Sequence, residues 1–433
     1  MFRMDVVNEA LKKEADEVSK LLRLQGRDEL IPLFEKCYPN TLDTTVKILA
    51  DGSAYVITGD IHAMWLRDSA AQVHHYLPLA KKCPDLAELI ASMIRRYALY
   101  VNIDPYANAF NENGDNEFCG HYDDITDRSP WVFERKYEVD SLCSVINISY
   151  LLWKETGTVS HFTNELKKAF EIIVDLWKTE QYHSEKSTYK FERPNPWKPT
   201  DTLTNNGKGS PVAYTGMTWS GFRPSDDACT YHYLIPSEMF AVVVLRQLAS
   251  VFEIIYNDPH NAAVCNRLSD EIDNGIKKHG VIRHPEYGEM YAYEVDGLGN
   301  YLLMDDANVP SLLSMPYIGY CDVDDRIYQN TRRFVLSEKN PFYYTGSCMT
   351  GIGSPHTEKG FVWPISLVIQ ALTSNNTEEI EAVISMIKST HADTLYMHES
   401  INANNQYEYT RDWFAWANSL FSELILKCVG RDK

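Results

Sequence analysis

The sequence has no window that reads as the roughly 20 apolar residues of a membrane-spanning helix, so no membrane anchor is expected. Residues 1–22 interleave Asp5, Glu9, Lys12 and Lys13 with Val7, Leu11, Val18 and Leu22, a helical stripe instead of the apolar core of a signal peptide. A cytoplasmic location is the expectation. Positive charge is also scarce: 41 Lys and Arg stand against 60 Asp and Glu, for a formal charge of -19. A surface that acidic repels phosphate backbones and anionic lipid, so neither nucleic acid nor membrane is an expected partner. The nine cysteines are odd in number, scattered and without a C-x-x-C pair, which favours reduced thiols over a disulfide framework or a zinc site. H-E-x-x-H, G-x-x-x-x-G-K-[ST], G-x-G-x-x-G and G-x-S-x-G are all missing, and with them the support for zincins, P-loop enzymes, dinucleotide enzymes and typical serine hydrolases. No fixed-length repeat, low-complexity tract or Pro/Ser-rich linker divides the 433 residues, so residues 1–433 read as one domain.

What is present is a core and many rings. Hydrophobic residues make up 44% and aromatics 12%, with Tyr 27 and Trp 9, enough for a Tyr-rich core or for flat platforms with a polar edge. Apolar residues recur every three or four positions from Val139 to Trp153, with Gly157 placed for a left-handed cap, and again from Phe162 to Trp177. Asn376 with Glu379 resembles a capping box ahead of Ile380, Val383 and Ile387, and Trp413 to Cys428 forms a last stripe. Residues 67–80, 86–100, 237–254 and 262–278 are further helical candidates. Between them lie long loops, residues 102–135, 183–235, 282–304 and 339–362, rich in Asn, Asp, Gly, Pro and aromatics. Loops of that length in a compact domain more often carry function than not.

Four clusters place carboxylates beside rings and planar donors: T-G-D-I-H-A-M-W-L-R-D-S over residues 58–69; S-G-F-R-P-S-D-D-A-C over 220–229; G-I-G-S-P-H over 351–356, running on to Trp363; and Y-M-H-E-S over 396–400 with Y-T-R-D-W-F over 409–414. An Arg fork and bidentate carboxylates are the chemistry that holds vicinal hydroxyls, so sugars are the natural ligand class. Each cluster alone has a plainer reading. Arg67 and Asp68 could be a structural ion pair, Asp226 and Asp227 a helix cap with its first-turn acids, His356 a hydrogen-bonded loop histidine and Glu399 a solvated acid. Two further patterns are weak. Asp123, Asp124 and Asp127 spell D-D-x-x-D, but Pro130 follows too soon for the long helix of a magnesium-dependent prenyl-chain enzyme. Residues 111–122 begin like a calcium loop but lack its Gly and terminal Glu.

Taken together and in this order, the four clusters resemble glycoside hydrolase family 125, over roughly residues 5–428. The resemblance implies an all-α (α/α)6 barrel of the six-hairpin glycosidase type with long functional loops, and a metal-independent, inverting exo-α-1,6-mannosidase with no cofactor. Its partners would be α-linked mannose oligosaccharides such as N-glycan fragments. It implies Asp226 as general acid, with Asp227 one position away as the alternative, and Glu399 as general base. Inversion requires two carboxyls roughly 6.5–9.5 Å apart, one protonated and one ionised. On this reading Arg67 and Asp68 grip the terminal mannose, and His62, Trp65, Glu138 and His356 complete the wall. Arg223 and Trp219 sit beside the acid. Burial is expected to raise the pKa of Asp226, and His398 or Arg411 to keep Glu399 charged. The rival readings are a helical-barrel enzyme for another linkage, a sugar-binding protein without catalysis, and the prenyl-chain enzyme.

Overall fold

The computed structural model describes residues 2–115, 123–127 and 129–432. Twelve helices of seven or more residues form its frame: α1 Met4–Leu24, α2 Ile31–Cys37, α3 Leu66–His74, α4 Pro84–Ile103, α5 Val139–Thr156, α6 Asn164–Glu180, α7 Ile235–Ile254, α8 Pro259–Gly275, α9 Arg326–Val335, α10 Pro364–Leu372, α11 Thr377–Ser389 and α12 Ala415–Cys428. Their ends follow local chemistry. Gly157 closes α5 at φ 73°, a left-handed cap that costs glycine little. Asn376 accepts the N–H groups of Glu378 and Glu379 to open α11. Pro84, Pro259 and Pro364 sit at helix starts, where a missing N–H costs nothing. The expected helix over 67–80 breaks after His74 and resumes only as Leu77–Ala80, because Pro78 has no N–H to offer the carbonyl of His74.

Helix α7 packs between α5 and α8, α5 against α3, α3 against α12 and α12 against α10. These helices supply most of one continuous apolar core. Helix α7 corrects one expectation: its 20 residues are long and apolar enough to span a bilayer by composition. Yet 78% of that window is buried inside the protein, so its all-round hydrophobicity is that of a core helix.

The long loops hold more order than the helical reading anticipated, because they fold into short antiparallel strands. Met64–Trp65 pairs with Ala109–Phe110, which pairs with Val132–Glu134. Phe361–Val362 pairs with Ser400–Asn402, which turns back on Asn405–Thr410. All but the last of these strands have two or three residues, which leave almost no periodicity in a sequence. Trp65 leads directly into α3, so the strand fixes the first turn of that helix and with it Arg67 and Asp68.

The eight described cysteines are free thiols, and Cys119 lies outside the described residues. Asp124 sits in a loop and takes both arms of Arg193, at 2.9 Å each, while Asp123 accepts from Asn195. The D-D-x-x-D pattern is therefore on no helix, and its central acid is occupied by an arginine. Residues 116–122 of the calcium-like stretch are outside the described residues.

Candidate active site

The loops converge on one pocket at the mouth of α3 and α12. Asp226 lines it with Pro224 and Ser225, and Glu399 lines it with Arg411. Arg67 and Asp68 contribute from α3, and Trp65, Trp363, Phe414 and Trp416 supply apolar walls. His356 lines the same space. A second cavity, of about 380 Å³, lies behind Arg67 and Trp416, ringed by α3, α5, α7, residues 309–319 and α12. Its lining carries no carboxylate, so the first pocket is where two-carboxyl chemistry is possible.

Asp226 is aimed by its backbone. The N–H of Asp226 donates to the carbonyl of Arg223 at 2.9 Å, the N–H of Arg223 donates to the carbonyl of Asp227 at 2.8 Å, and Asp226 itself takes a left-handed φ of 67°. Aspartate tolerates that region better than most residues, and a non-glycine held there at a pocket wall is a feature of functional sites. Asn108 Nδ2 donates to Asp226 Oδ1 at 3.3 Å. Asp227 points the other way. It is buried behind the wall, 2.5 Å from Lys198 Nζ, 2.5 Å from the Thr200 hydroxyl that donates to it, and 3.5 Å from His356 Nδ1. Burial opposes its ionisation, but His356 and Lys198 together hold its carboxyl far below the usual range. Asp227 in turn raises the pKa of His356 against the effect of burial.

The expected upward shift of Asp226 is not what the structure gives. Burial pushes its pKa up, but the nearby Lys136, Arg67 and His356 outweigh burial and bring it below the ordinary value. The raised carboxyl is Glu138 instead: burial is the main cause, Asp140 and Asp226 add to it, and Arg67 opposes it. Asp68 is likewise raised by burial, with Arg67 opposing.

Arg67 is the hub of this acidic cluster. Its Nη1 donates to Glu138 at 2.6 Å and to Asp140 at 3.2 Å, and its Nη2 lies 3.1 Å from Asp68. In the same pocket, Arg411 Nη1 lies 3.5 Å from Glu399 Oε1 and its Nη2 holds Asp60. His398 does not attend Glu399. Its Nδ1–H donates to the carbonyl of Arg411 at 2.8 Å and its ring stacks on Tyr409, so it supports the hairpin that carries Glu399.

Of the residues singled out from sequence, Trp65, Arg67, Asp68, Asp226, His356 and Glu399 meet at the pocket. Four do not reach its wall. His62 is exposed on the loop before α3. Glu138 is fully buried beneath Arg67. Arg223 is buried behind the acid, 2.6 Å from Glu294, which also accepts from Thr230 and Tyr231; it braces the loop. Trp219 is sandwiched between His183 and His232 in the core. Sequence reasoning missed Asn108, Lys136 and Asn308, which no motif flags, and Trp197. Trp197 is 64% exposed and meets the His356 ring edge-on at 5.6 Å.

Two carboxyls on separate loops, facing one pocket with aromatic walls and a buried arginine, on a helical frame, are the working parts of a glycoside hydrolase. The chain belongs to glycoside hydrolase family 125, whose family model, described as metal-independent alpha-mannosidase, matches residues 27–426. A solved structure of a Streptococcus pneumoniae protein from a family of metal-independent α-mannosidases, in a non-productive substrate complex with α-1,6-mannobiose, is 46% identical. It superimposes with a TM-score of 0.94 over 98% of each chain. The meiotically up-regulated gene 157 protein of Schizosaccharomyces pombe is 42% identical over 97% of this chain and 86% of its own length. A bacterial glucoamylase complexed with acarbose shares the fold alone, at 13% identity and a TM-score of 0.52 over 94% of this chain and 55% of that one.

Proposed function

We propose that this α-mannosidase is an exo-acting, inverting α-1,6-mannosidase that releases terminal mannose from short α-1,6-linked mannosides such as N-glycan fragments, on an (α/α)6 barrel. The observation that carries the reading is that Asp226 and Glu399 line one pocket together with the Arg67–Asp68 ion pair. The complex of the 46% identical relative with α-1,6-mannobiose supports the linkage. The packing order of α10, α12, α3, α5 and α7, with residues 309–319 lining the same interior cavity, supports the barrel.

In this mechanism Asp226 gives a proton to the departing glycosidic oxygen, while Glu399 takes one from a water that attacks C1 from the opposite face. Asp226 is preferred to Asp227 because Asp227 is walled off from the pocket and committed to Lys198, Thr200 and His356. Arg67 and Asp68 bind sugar hydroxyls, and Trp65 and Trp363 offer their faces to the apolar side of the ring. His356 closes the wall toward the leaving group. The test is proton NMR of the enzyme with α-1,6-mannobiose. Early β-mannose establishes linkage and inversion together; early α-mannose sinks the inverting assignment, and no release sinks the linkage.

A further inference from the structure

Asn418 is a fully buried amide on α12, in a helix position where asparagine is a poor helix former. A buried amide persists only where its hydrogen bonds are made, and here they join three segments. Asn418 Oδ1 accepts the N–H of Met397 at 2.8 Å, and its Nδ2 donates to Asn40 Oδ1 at 3.0 Å. A backbone N–H can only donate, so the amide oxygen must be the end that faces Met397. The Cys37 thiol, at the end of α2, lies 3.3 Å from Asn418 Oδ1 and 3.5 Å from the carbonyl of Leu395, and shares its one proton between them. Met397 is held from its other side as well, because its carbonyl accepts the N–H of Phe414, the residue that opens α12. Two positions after Met397 stands Glu399.

The chain that enters this clamp is strained. Ala392, Asp393 and Leu395 take left-handed φ values of 50°, 61° and 61°, a region that Ala and Leu rarely enter. Backbone of that kind persists only where its surroundings hold it, and it gathers at functional sites. We infer that Asn418 is a positioning residue for the general base: by fixing Met397 against the start of α12 it sets where the Glu399 carboxylate stands in the pocket. The inference rests on the assignment of Glu399 as base. Asn418 does not line the pocket, so it acts through Glu399. Phe414 and Trp416, from the same end of α12, do line it beside Glu399, so the amide ties the base to the wall it works against. A base must come within hydrogen-bond reach of its water, and a misplacement of about 1 Å caused by a residue remote from the chemistry costs about 10²-fold.

Asn418→Leu removes the acceptor and keeps the volume. The expected result is a fall of roughly 10²-fold in kcat on α-1,6-mannobiose with KM nearly unchanged, because Glu399 serves the water and not the sugar. Asn418→Asp keeps an acceptor for Met397 but buries a charge, so it should lose stability and retain kcat. The two readouts part there, as they would not if Asn418 only supported the fold. The deciding measurement is a double-mutant cycle with Glu399→Gln on a dinitrophenyl α-mannoside, whose good leaving group keeps a weak enzyme measurable. If Asn418 acts through the base, N418L costs nothing further in E399Q. Additive losses, a rise in KM in place of the fall in kcat, or N418L at the wild-type kcat overturn the inference. Should N418L fail to fold, Asn40→Ala frees the same amide and must give a smaller loss in kcat that again vanishes in E399Q. No loss, or one that persists in E399Q, overturns the inference equally. E399Q at the wild-type rate would instead mean that the base assignment itself has failed.

Discussion

Arg411 Nη1 faces Glu399 Oε1 at 3.5 Å across a hairpin, and the same guanidinium grips Asp60 from the loop that precedes α3. The contact is built by backbone: the N–H of Glu399 donates to the carbonyl of Thr410, and Arg411 turns out of the strand at a left-handed φ of 56°. With both side chains less than a fifth exposed, the pair is partly shielded from water. A charge-assisted contact of this kind contributes about 1.5–3 kcal/mol. Arg411→Gln is therefore expected to lower kcat by roughly ten- to a hundredfold, with KM less affected, because the residue orients the base and not the sugar. Steady-state kinetics on α-1,6-mannobiose with circular dichroism as a folding control decides it; an unchanged kcat removes Arg411 from the mechanism.

The adjacent acids Asp226 and Asp227 should separate cleanly by mutation. Asp226→Asn removes the proposed proton donor and is expected to cost at least about 10² in kcat while leaving stability near wild type. Asp227→Asn does the reverse. It strips Lys198 and His356 of their buried partner, and breaking one side of such a pair costs about 3–5 kcal/mol. Urea denaturation and kcat measured on both variants provide the check, and a stable, inactive D227N reverses the assignment.

Much of this site was legible before the fold was known, and the reason is local. Trp65, Arg67 and Asp68 fall within one stretch that a two-residue strand and a helix start hold rigid, so sequence proximity carried over into space. The same logic failed for His62, which shares the stretch but turns to solvent, and for Arg223, whose charge is consumed by Glu294 from 71 positions away. Asn108 and Lys136 were illegible because their roles come from the three-stranded sheet that brings Ala109–Phe110 beside Val132–Glu134. The helices were readable wherever a cap or a proline marked an end. The pKa of Asp226 was misjudged because burial is visible in a hydrophobic neighbourhood, whereas three surrounding cations from distant segments are not.

Three buried histidines predict the acid side of the stability curve. His75, His161 and His232 are each brought down to about 4 by burial, opposed by a backbone carbonyl partner and a nearby glutamate in each case. A lowered histidine pKa means that the unfolded chain binds a proton the folded chain refuses, so stability is full above the unfolded value near 6.5 and is lost progressively as pH falls toward 4. Each contributes a loss of about 3 kcal/mol over that window. His161→Gln keeps a donor for the Ser149 carbonyl, now 3.0 Å from His161 Nε2, but cannot titrate. Its unfolding free energy should fall less steeply than wild type between pH 6.5 and pH 4; parallel curves would exclude His161 as a contributor.

Trp197 is predicted to contact the leaving-group sugar. An indole left 64% exposed gains little from the core, yet this one is held in place by the His356 ring at 5.6 Å and by Lys198 Nζ, 4.5 Å from its own ring centre. Both anchors connect to the pocket: His356 lines it, and Lys198 donates to the carbonyl of Pro355 and pairs with Asp227. The ring thus adjoins a residue of the pocket wall, and the prediction is that a second sugar leaving the pocket stacks on it. Stacking of that kind contributes about 0.5–1.5 kcal/mol, which sets the expected rise in KM for α-1,6-mannobiose in Trp197→Ala at roughly two- to twelvefold. Mannosyl fluoride, whose leaving group is too small to reach the rim, should be hydrolysed by W197A with wild-type parameters. A matching loss on both substrates would instead mean that Trp197 supports His356 and the wall, and that the second sugar is recognised elsewhere.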